Sequence, residues 1–390
     1  MSAPAQAKTE FEFIDTPGAL ADFCASLKGL EWIALDTEFI REKTYYPRLC
    51  LIQIGIPGSI ACIDPLAIED LTPLLDIFYD RSITKVLHAC SQDLEIFAYL
   101  KGSVPGPIFD TQLAAPLLGF VEQMGYGNFV KEMLGVNLEK GQARTDWARR
   151  PLDHAQLYYA ADDVRYLAEM YPQMRARLEE QGRLQWLDAE FEPYERAERY
   201  LLEPADAWQR LKGLDKLRPK GLAIMQRLAE WRERTAQQKD LPRSWVLKDD
   251  FMLDIARMGA DSEEKLAKIR NLPPKTLERY GATLIELVKA AMEQQPVPLP
   301  AWKKRERATA QEEALADVLH AQLRLLAERY QINCATLAGR KDIVALAQGE
   351  EDIPLLRGWR RKMAGEELLA MRDGERDVAI VDRQVLVSAK

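Results

Sequence analysis

Two carboxylates lie close together near the end of a predicted strand. The segment Glu31–Phe39 (EWIALDTEF) is rich in strand-forming residues, and Asp36 and Glu38 lie in its second half. Because side chains alternate between the two faces of a strand, both acids point to the same face of the sheet. Adjacent carboxylates repel each other unless a cation lies between them, and hard cations such as Mg²⁺ prefer oxygen ligands. Most pairs of this kind are solvated acids at a strand end, so the pair alone leaves both interpretations open.

A third acid follows a later strand. Asp93 lies in HACSQDLEIF, directly after the predicted strand Thr84–His88, with Ser91 as the predicted N-cap residue of the next helix. This places Asp93 in the first helical turn, near the edge of the sheet. The alternative interpretation is an acid that is simply favoured by the positive end of the helix dipole.

A tyrosine and an aspartate share one face of a later helix. In LYYAADDVRYL, Tyr159 and Asp163 are four residues apart, as are Tyr158 and Asp162 on a face rotated by about 100°. The apolar Val164 favours Tyr159 and Asp163 as the inward pair and leaves Asp162 solvated. A buried hydroxyl with its hydrogen-bond partner is the alternative to a catalytic pair.

The elements that position these residues alternate between strand and helix over the first 200 residues. The other strand-like segments are Leu49–Ile56 and Ser59–Ile63, separated by the turn residues Pro57-Gly58. Helical patterns cover Asp70–Tyr79, Ser91–Leu100, Thr111–Leu118, Asn128–Leu134 and Asp153–Gln181. Three neighbouring strands followed by strand–helix alternation predict an α/β domain with a mixed sheet.

Beyond about residue 200 the strand signals stop, and short helical patterns broken by Gly and Pro follow. The chain of 390 residues is too long for one ordinary core. The predicted domains are residues 1–203 for the α/β domain, 204–294 for a first helical domain, 295–301 for a proline-rich linker and 302–390 for a second helical domain with a C-terminal tail. The fold class is therefore α/β plus all-α.

Composition excludes several classes of protein. The N-terminus lacks a secretory signal, and no apolar run approaches the roughly 20 residues of a membrane helix. The five scattered cysteines contain no Cys-x-x-Cys pair, and with three histidines they provide neither a disulfide framework nor a structural zinc site. We therefore expect a soluble, cytoplasmic protein with reduced thiols and no association with membranes.

The charge is unevenly distributed along the chain. The net charge is −8, but residues 1–200 have a balance of −12 and residues 201–390 a balance of +4. An acidic half that binds divalent metals, joined to a mildly basic half, can still bind a polyanion.

Taken together, the motifs resemble those of the DEDD exonucleases, in the subclass with tyrosine in the last motif. The order of Asp36 and Glu38 on a strand, Asp93 after a later strand, and Tyr159 with Asp163 on a helix matches that pattern. The flanking segments WIALDTEFIREKTYYPRLCLIQIG, VLHACSQDLEIF and RTDWARRPLDHAQLYYAADDVRYL resemble the ribonuclease D family over roughly residues 11–200. Residues 240–256 resemble an HRDC domain, and residues 355–375 are similar to the second helical domain of that family.

The resemblance implies a ribonuclease H-like exonuclease domain followed by two HRDC-type helical domains. It implies two divalent ions, Mg²⁺ or Mn²⁺, held by Asp36, Glu38, Asp93 and Asp163, with Tyr159 orienting the attacking water. The implied activity is 3′→5′ exoribonuclease hydrolysis that releases nucleoside 5′-monophosphates. The implied partner is RNA with a single-stranded 3′ end, such as a tRNA precursor. We expect a monomer that needs no small-molecule cofactor.

Other residues are candidates for contact with the substrate. They are Thr37 and Phe39 beside the first acids, His88 at the end of a strand, and Arg144, Trp147 and Arg150 in a basic and aromatic cluster. In the helical half, the candidate phosphate contacts are Lys212, Lys216, Arg218 and Lys220, and then Lys303, Lys304, Arg305 and Arg307 beside Trp302. Their alternatives are ordinary strand alternation, a buried histidine, a packed tryptophan and solvated cations.

Two other functions remain open at this point. One is a DNA 3′→5′ exonuclease of the same superfamily, which a comparison of matched RNA and DNA substrates would separate. The other is a catalytically inactive HRDC protein that binds nucleic acid. The retention of four acids and the tyrosine argues against the second, because an inactive site has no reason to keep like charges together.

Overall fold

The computed structural model describes residues 10–138, 141, 145–298 and 307–390 of the chain. A six-stranded sheet forms the first part, with the strand order β1-β4-β3-β2-β5-β6. A separate two-stranded sheet, β7-β8, lies at the C-terminus. The strands are β1 (Glu12–Ile14), β2 (Trp32–Ile40), β3 (Arg48–Ile56), β4 (Ser59–Ile63), β5 (Thr84–Leu87), β6 (Ile108–Asp110), β7 (Arg376–Val381) and β8 (Gln384–Ala389).

The helices of the first half are α1 (Pro17–Leu27), α2 (Thr72–Tyr79), α3 (Ser91–Lys101), α4 (Thr111–Ala114), α5 (Tyr126–Leu134), α6 (His154–Glu180) and α7 (Leu187–Phe191). Those of the second half are α8 (Pro219–Lys239), α9 (Arg243–Val246), α10 (Asp249–Met258), α11 (Glu263–Leu266), α12 (Pro274–Met292), α13 (Ala310–Tyr330), α14 (Cys334–Leu337), α15 (Arg340–Ala347), α16 (Gly358–Arg360) and α17 (Glu366–Arg372). A π-helical segment, Arg361–Gly365, connects the last two.

The mixed sheet confirms the predicted fold class. β2 pairs antiparallel with β3 and parallel with β5, so it occupies the middle of the sheet. β3 pairs antiparallel with β4, as the Pro57-Gly58 turn predicts. The long helix α6 packs across β3, β2 and β4. The central strands are buried on both faces, which explains their nearly continuous apolar sequences.

The prediction that strands stop after residue 200 was wrong. The last segment forms the antiparallel hairpin β7-β8, in which Val378 pairs with Val387. Its turn residues Asp382 and Arg383 both have positive φ values, of 49° and 66°, as a tight two-residue hairpin turn requires. The short strands β1 and β6 and the helix α1 were also not predicted from the sequence.

The helical half is organised around two cores. Residues of α13, α15 and α17 share one hydrophobic cluster with the six-stranded sheet and α6. At this contact Trp186 and Trp359 stack with ring centroids 5.0 Å apart, and Glu190 accepts a hydrogen bond from Trp359 Nε1 at 3.1 Å. The helices α8, α10 and α12 form a second cluster. The boundaries at 203 and 294 stay predictions.

The first helical region is docked onto the loop that follows β2. Tyr45 is buried within the core formed by α8, α10 and α12, and its hydroxyl pairs with Glu233. Arg243 donates to the same hydroxyl at 2.9 Å. Asp240, at the end of α8, accepts from the Tyr45 backbone N–H at 2.9 Å. This helical region is therefore tied to the loop that continues from the strand bearing Asp36.

Among the residues that the structure describes, none of the helices has the length and apolar character needed to cross a bilayer.

Candidate active site

The first two acids lie on the central strand. Asp36 and Glu38 are both half-buried, while the residue between them, Thr37, is buried on the opposite face. The pairing of β2 with β3 shifts register between Glu38 and Phe39. Such a bulge bends a strand and is common next to active sites. The two acids therefore lie just before this bulge, beyond which the pairing continues in a shifted register.

The helix α6 brings the last motif to these acids. A capping box fixes its start, since Asp153 accepts from the Gln156 backbone N–H and the Gln156 side chain accepts from the Asp153 backbone N–H. Gly55 of β3 allows close packing, because a Cβ at this position would lie 2.7 Å from the backbone oxygen of Val164. Tyr126 of α5 donates to the Asp162 backbone oxygen at 2.8 Å and holds the same turn of α6. Asp163 is thereby fixed against the sheet.

Asp93 lies in the first turn of α3 and is 6% exposed. The Thr37 hydroxyl donates to its Oδ1 at 2.5 Å. The turn before α3 is held by Asp110, whose carboxylate accepts from the backbone N–H groups of Ala89 at 3.1 Å and Cys90 at 2.8 Å. The N-cap residue is Cys90, not the predicted Ser91. Asp110, which the sequence reasoning missed, therefore positions the helix that carries Asp93.

Three of the acids converge closely enough to share a cation. Asp36, Glu38 and Asp163 each offer a carboxylate oxygen, and these oxygens all lie within 4.8 Å of one another. Asp93 lies outside this triplet but close enough for its charge to raise the pKa values of all three. A set of carboxylate oxygens at this separation fits a hard divalent ion.

Burial raises the pKa values of the four acids, and repulsion between carboxylates adds to it. Burial is the larger cause at each of them, followed at Asp36, Glu38 and Asp163 by repulsion from the neighbouring carboxylates. The pKa of Glu38 rises to about 9, and those of Asp93 and Asp163 rise to about 7. The pKa of Asp36 rises well above its usual range. Without a cation, this cluster therefore resists full ionisation at neutral pH.

The metal-free protein should lose stability as the pH rises. The raised pKa values mean that the folded state binds more protons than the unfolded state between about pH 4 and pH 9. The free energy of unfolding therefore falls as the pH increases through this window. From pH 6 to pH 9, we expect this cluster to lower Tm by several degrees, since about 1 kcal/mol corresponds to roughly 2–4 °C.

Differential scanning calorimetry of the EDTA-treated protein measures this effect. Added Mn²⁺ should raise Tm, and by more at pH 9 than at pH 6, because the ion binds the deprotonated acids. Asp163→Asn should flatten both dependences. A Tm of the metal-free wild type that rises steadily from pH 6 to pH 9, with no effect of Asp163→Asn on the slope, would contradict this electrostatic description.

The surroundings of Asp162 differ from those predicted. The prediction that Asp162 is solvated was wrong, because its side chain is 14% exposed and forms an ion pair with Arg165. Tyr158, on the same face, packs against Phe11 and His154. Tyr159 lies on the side of the acids, since Asp163, Glu38 and Asp36 all contribute to raising its pKa, after burial.

Several candidate substrate contacts have internal partners instead. The Thr37 hydroxyl is committed to Asp93, and both ring nitrogens of His88 have partners at 2.9 Å, the Thr111 hydroxyl and the Met124 backbone oxygen. Burial lowers the pKa of His88. These contacts favour a structural role for both side chains. Phe39 is half-buried just after the bulge, and its contact with a terminal nucleotide stays a prediction.

The basic and aromatic cluster is also largely structural. Arg150 donates to both oxygens of Asp64, at 2.6 and 2.7 Å, and to the Cys50 backbone oxygen at 2.7 Å. A guanidinium with these partners is not available to grip a phosphate. Trp147 is 2% exposed, so its ring packs in the core and does not present a face to a base. Arg144 lies outside the described residues.

The lysine and arginine candidates of the helical half divide into two groups. The first group is exposed and consists of Lys212, Lys216, Arg218 and Lys220. Of the second group, Arg307 is exposed. Trp302, Lys303, Lys304 and Arg305 lie outside the part of the chain that the structure describes.

Two family models and several curated proteins match this chain. Residues 11–179 match the family model for a 3′-5′ exonuclease, and residues 221–288 match that of the HRDC domain. The ribonuclease D of Granulibacter bethesdensis is 37% identical over 94% of this chain and 93% of its own length. That of Sphingobium indicum is 40% identical over 93% of this chain and 94% of its own length.

A solved structure of a relative has the same fold. The crystal structure of Escherichia coli RNase D, described as an exoribonuclease involved in structured RNA processing, superposes with a TM-score of 0.79 at 33% identity. The match covers 93% of this chain and 99% of that protein. It therefore spans nearly the whole of both chains.

Proposed function

The chain belongs to the ribonuclease D family of 3′→5′ exoribonucleases, and from that premise we propose that it trims the 3′ ends of structured RNAs such as tRNA precursors. The observation that carries the proposal is the convergence of Asp36, Glu38 and Asp163 within 4.8 Å. Asp93 adjoins them and is oriented by Thr37. The relative from Escherichia coli, which matches nearly the whole chain, is described as acting in structured RNA processing.

The four acids would hold two divalent ions, Mg²⁺ or Mn²⁺. When bound, such ions activate water as a nucleophile and stabilise charge on the leaving 3′ oxygen. The acids themselves supply four negative charges, which two divalent ions neutralise. The loaded pocket can therefore accept a phosphodiester, whereas the bare pocket would repel it.

Tyr159 would orient the attacking water by a hydrogen bond. Its ring lies 6.3 Å from that of the buried Trp147, centroid to centroid, which restricts its movement. Burial and the neighbouring acids raise its pKa, which favours the role of a hydrogen-bonding group first and that of a base second.

Tyr159→Phe is expected to lower kcat by roughly tenfold, because the positioning hydrogen bond is lost while the ring still fills its site. KM for the RNA and Tm should change little. Steady-state hydrolysis of a labelled oligoribonucleotide measures this. Tyr158→Phe is the matched control, since Tyr158 packs against Phe11 and His154 on another face of the same helix. Equal losses of kcat in the two variants would refute a specific role for the Tyr159 hydroxyl.

The proposed reaction has a direct test. An RNA hairpin with a single-stranded 3′ tail, labelled at its 5′ end, should be shortened one nucleotide at a time only when Mg²⁺ or Mn²⁺ is added to the EDTA-treated protein. The released products should be nucleoside 5′-monophosphates. Release of 3′-monophosphates, or equal hydrolysis in excess EDTA, would contradict the mechanism.

The same assay separates the two alternatives. A matched DNA hairpin with the same tail should be degraded far more slowly than the RNA. Faster degradation of the DNA would indicate the DNA exonuclease. Tight binding of the RNA without hydrolysis in either metal would indicate the inactive binding protein.

The exposed cations Lys212, Lys216, Arg218 and Lys220 are our proposed contacts for the folded part of the RNA. They are contributed by the first helical region and lie outside the acidic cluster. A monomeric state and a cytoplasmic location remain parts of the proposal. The five cysteines are free thiols, which is compatible with a reducing compartment.

A further inference from the structure

Gln53 of β3 is a buried amide without a visible role in the fold. Its side chain is 0% exposed, and neither Oε1 nor Nε2 has a hydrogen-bond partner among the residues that the structure describes. Leaving a buried amide unpaired costs about 1–3 kcal/mol, so folded proteins rarely tolerate one without a reason. The surroundings of Gln53 supply that reason.

The sheet register places Gln53 directly beside the acidic cluster. Gln53 pairs with Asp36 of β2 on one side and with Cys62 of β4 on the other. Residues that pair directly across neighbouring strands have their side chains on the same face, with Cβ atoms about 4.5–5.5 Å apart. The amide of Gln53 and the carboxylate of Asp36 therefore share one face of the sheet.

That face is the one covered by α6. Cys62 Sγ lies 3.9 Å from the Leu157 backbone oxygen of α6. Gly55, two residues beyond Gln53 on the same face, is in contact with the backbone of Val164. Gln53 thus lies under the part of α6 that carries Asp163, next to the metal-binding triplet and out of reach of solvent.

We propose that Gln53 is a positioning residue of the metal site, whose amide N–H donates to the Asp36 carboxylate when that acid is ionised around bound cations. This inference rests on the metal assignment in the proposed function. An ionised carboxylate is an acceptor only, and the amide offers two donors. A lysine or arginine here would supply donors as well, but its charge would compete with the ions for the acids. A neutral amide orients Asp36 without that competition.

The experiment compares Gln53→Met with the wild type. Methionine keeps the length and approximate volume of glutamine and removes the amide. We expect the Kd for Mn²⁺, measured by titration calorimetry, to rise roughly 10–100-fold, which is the usual effect of losing an outer partner of a metal ligand. Once Mn²⁺ is saturating, KM for the RNA should equal the wild-type value. Tm of the metal-free variant should be unchanged or higher, because an unpaired buried amide has been removed.

Gln322→Met is the matched control. Gln322 is 4% exposed, its Oε1 also has no partner within the described residues, and it lies on α13, far along the chain from the acids. This control should leave the Kd for Mn²⁺ unchanged. It therefore separates the loss of a buried amide in general from the loss of this amide.

Three results would overturn the inference. Wild-type Mn²⁺ affinity in Gln53→Met would show that the amide does not orient the site. Weaker binding together with a lower Tm of the metal-free variant would show a packing defect. If the wild type bound no Mn²⁺ at all, both this inference and the proposed function would fail, whereas the first two results leave the proposed function intact.

Discussion

Asp36→Asn is expected to lower kcat for removal of the 3′ nucleotide by at least roughly 1,000-fold, which corresponds to about 4 kcal/mol of lost transition-state stabilisation. Asp36 is one of the three acids whose oxygens converge within 4.8 Å, and all three other acids act on its pKa. An amide at this position keeps the shape of the side chain but removes an anionic ligand. The assay is single-turnover hydrolysis of the 5′-labelled RNA hairpin at saturating Mg²⁺.

The fold should persist in this variant, and the metal-free protein should become more stable at pH 8. Replacing one of four repelling acids by a neutral group removes the repulsion from Asp93, Asp163 and Glu38 that, after burial, raises the pKa of Asp36. Glu31→Gln is the control, since this acid lies just before the same strand with its side chain 85% exposed. Hydrolysis by Asp36→Asn within tenfold of the wild type would remove Asp36 from the catalytic centre.

Gly55→Ala should produce the next largest loss, roughly 100-fold in kcat, although the three atoms nearest to the added Cβ all belong to Val164. The added Cβ would lie 2.7 Å from the Val164 backbone oxygen, so α6 must move away from β3. Asp163 is the neighbour of Val164 and moves with it. A displacement of about 1 Å at a catalytic group is sufficient for a loss of this size. Overpacking should also lower the free energy of unfolding by about 1–3 kcal/mol.

The control for this variant is Gly127→Ala in α5. No atom lies within 4 Å of a Cβ at this position, and alanine favours a helix over glycine by up to about 1 kcal/mol. Its activity and Tm should therefore equal or slightly exceed those of the wild type. Urea unfolding and steady-state kinetics on both variants test the prediction. Unchanged kcat and stability in Gly55→Ala would show that close packing of α6 on β3 does not position Asp163.

The positions of the acids followed from local rules. Alternation along β2 places Asp36 and Glu38 on one face of the sheet. Helical spacing places Tyr159 and Asp163 on one face of α6. Both rules apply within a single strand or helix and need no information about how the elements pack. That these faces meet was inferred from the family resemblance, because no local rule specifies how α6 crosses the sheet.

Contacts between distant segments could not be predicted from the sequence. Arg150 was assigned to phosphate because it lies in a basic and aromatic cluster. Arginine can bind carboxylate as well as phosphate, and its partner Asp64 is 86 residues away. Thr37 was assigned to the nucleotide because the segment beside the first acids adjoins the terminal nucleotide in similar enzymes, and its partner Asp93 lies 56 residues away. In each case the residue type indicates which groups the side chain can bind, but the sequence does not show which distant residue is its partner.

Other signals in the sequence indicate further features of the fold. Gln53 interrupts the apolar run LCLIQIGI, and a polar residue within a buried strand calls for a partner. Asp110 directly precedes a helical pattern, as an N-cap residue does. Alternating valines, isoleucine and leucine in DVAIVDRQVLV are typical of strands and predict the C-terminal hairpin once the segment is considered by itself.

The proposed metal site is tested by an anomalous-difference map from crystals of the protein soaked in Mn²⁺. We expect manganese peaks within coordination distance of the carboxylate oxygens of Asp36, Glu38 and Asp163, with Asp93 oriented toward them by Thr37. Manganese bound only elsewhere on the protein, with these acids paired to lysine or arginine side chains, would contradict it.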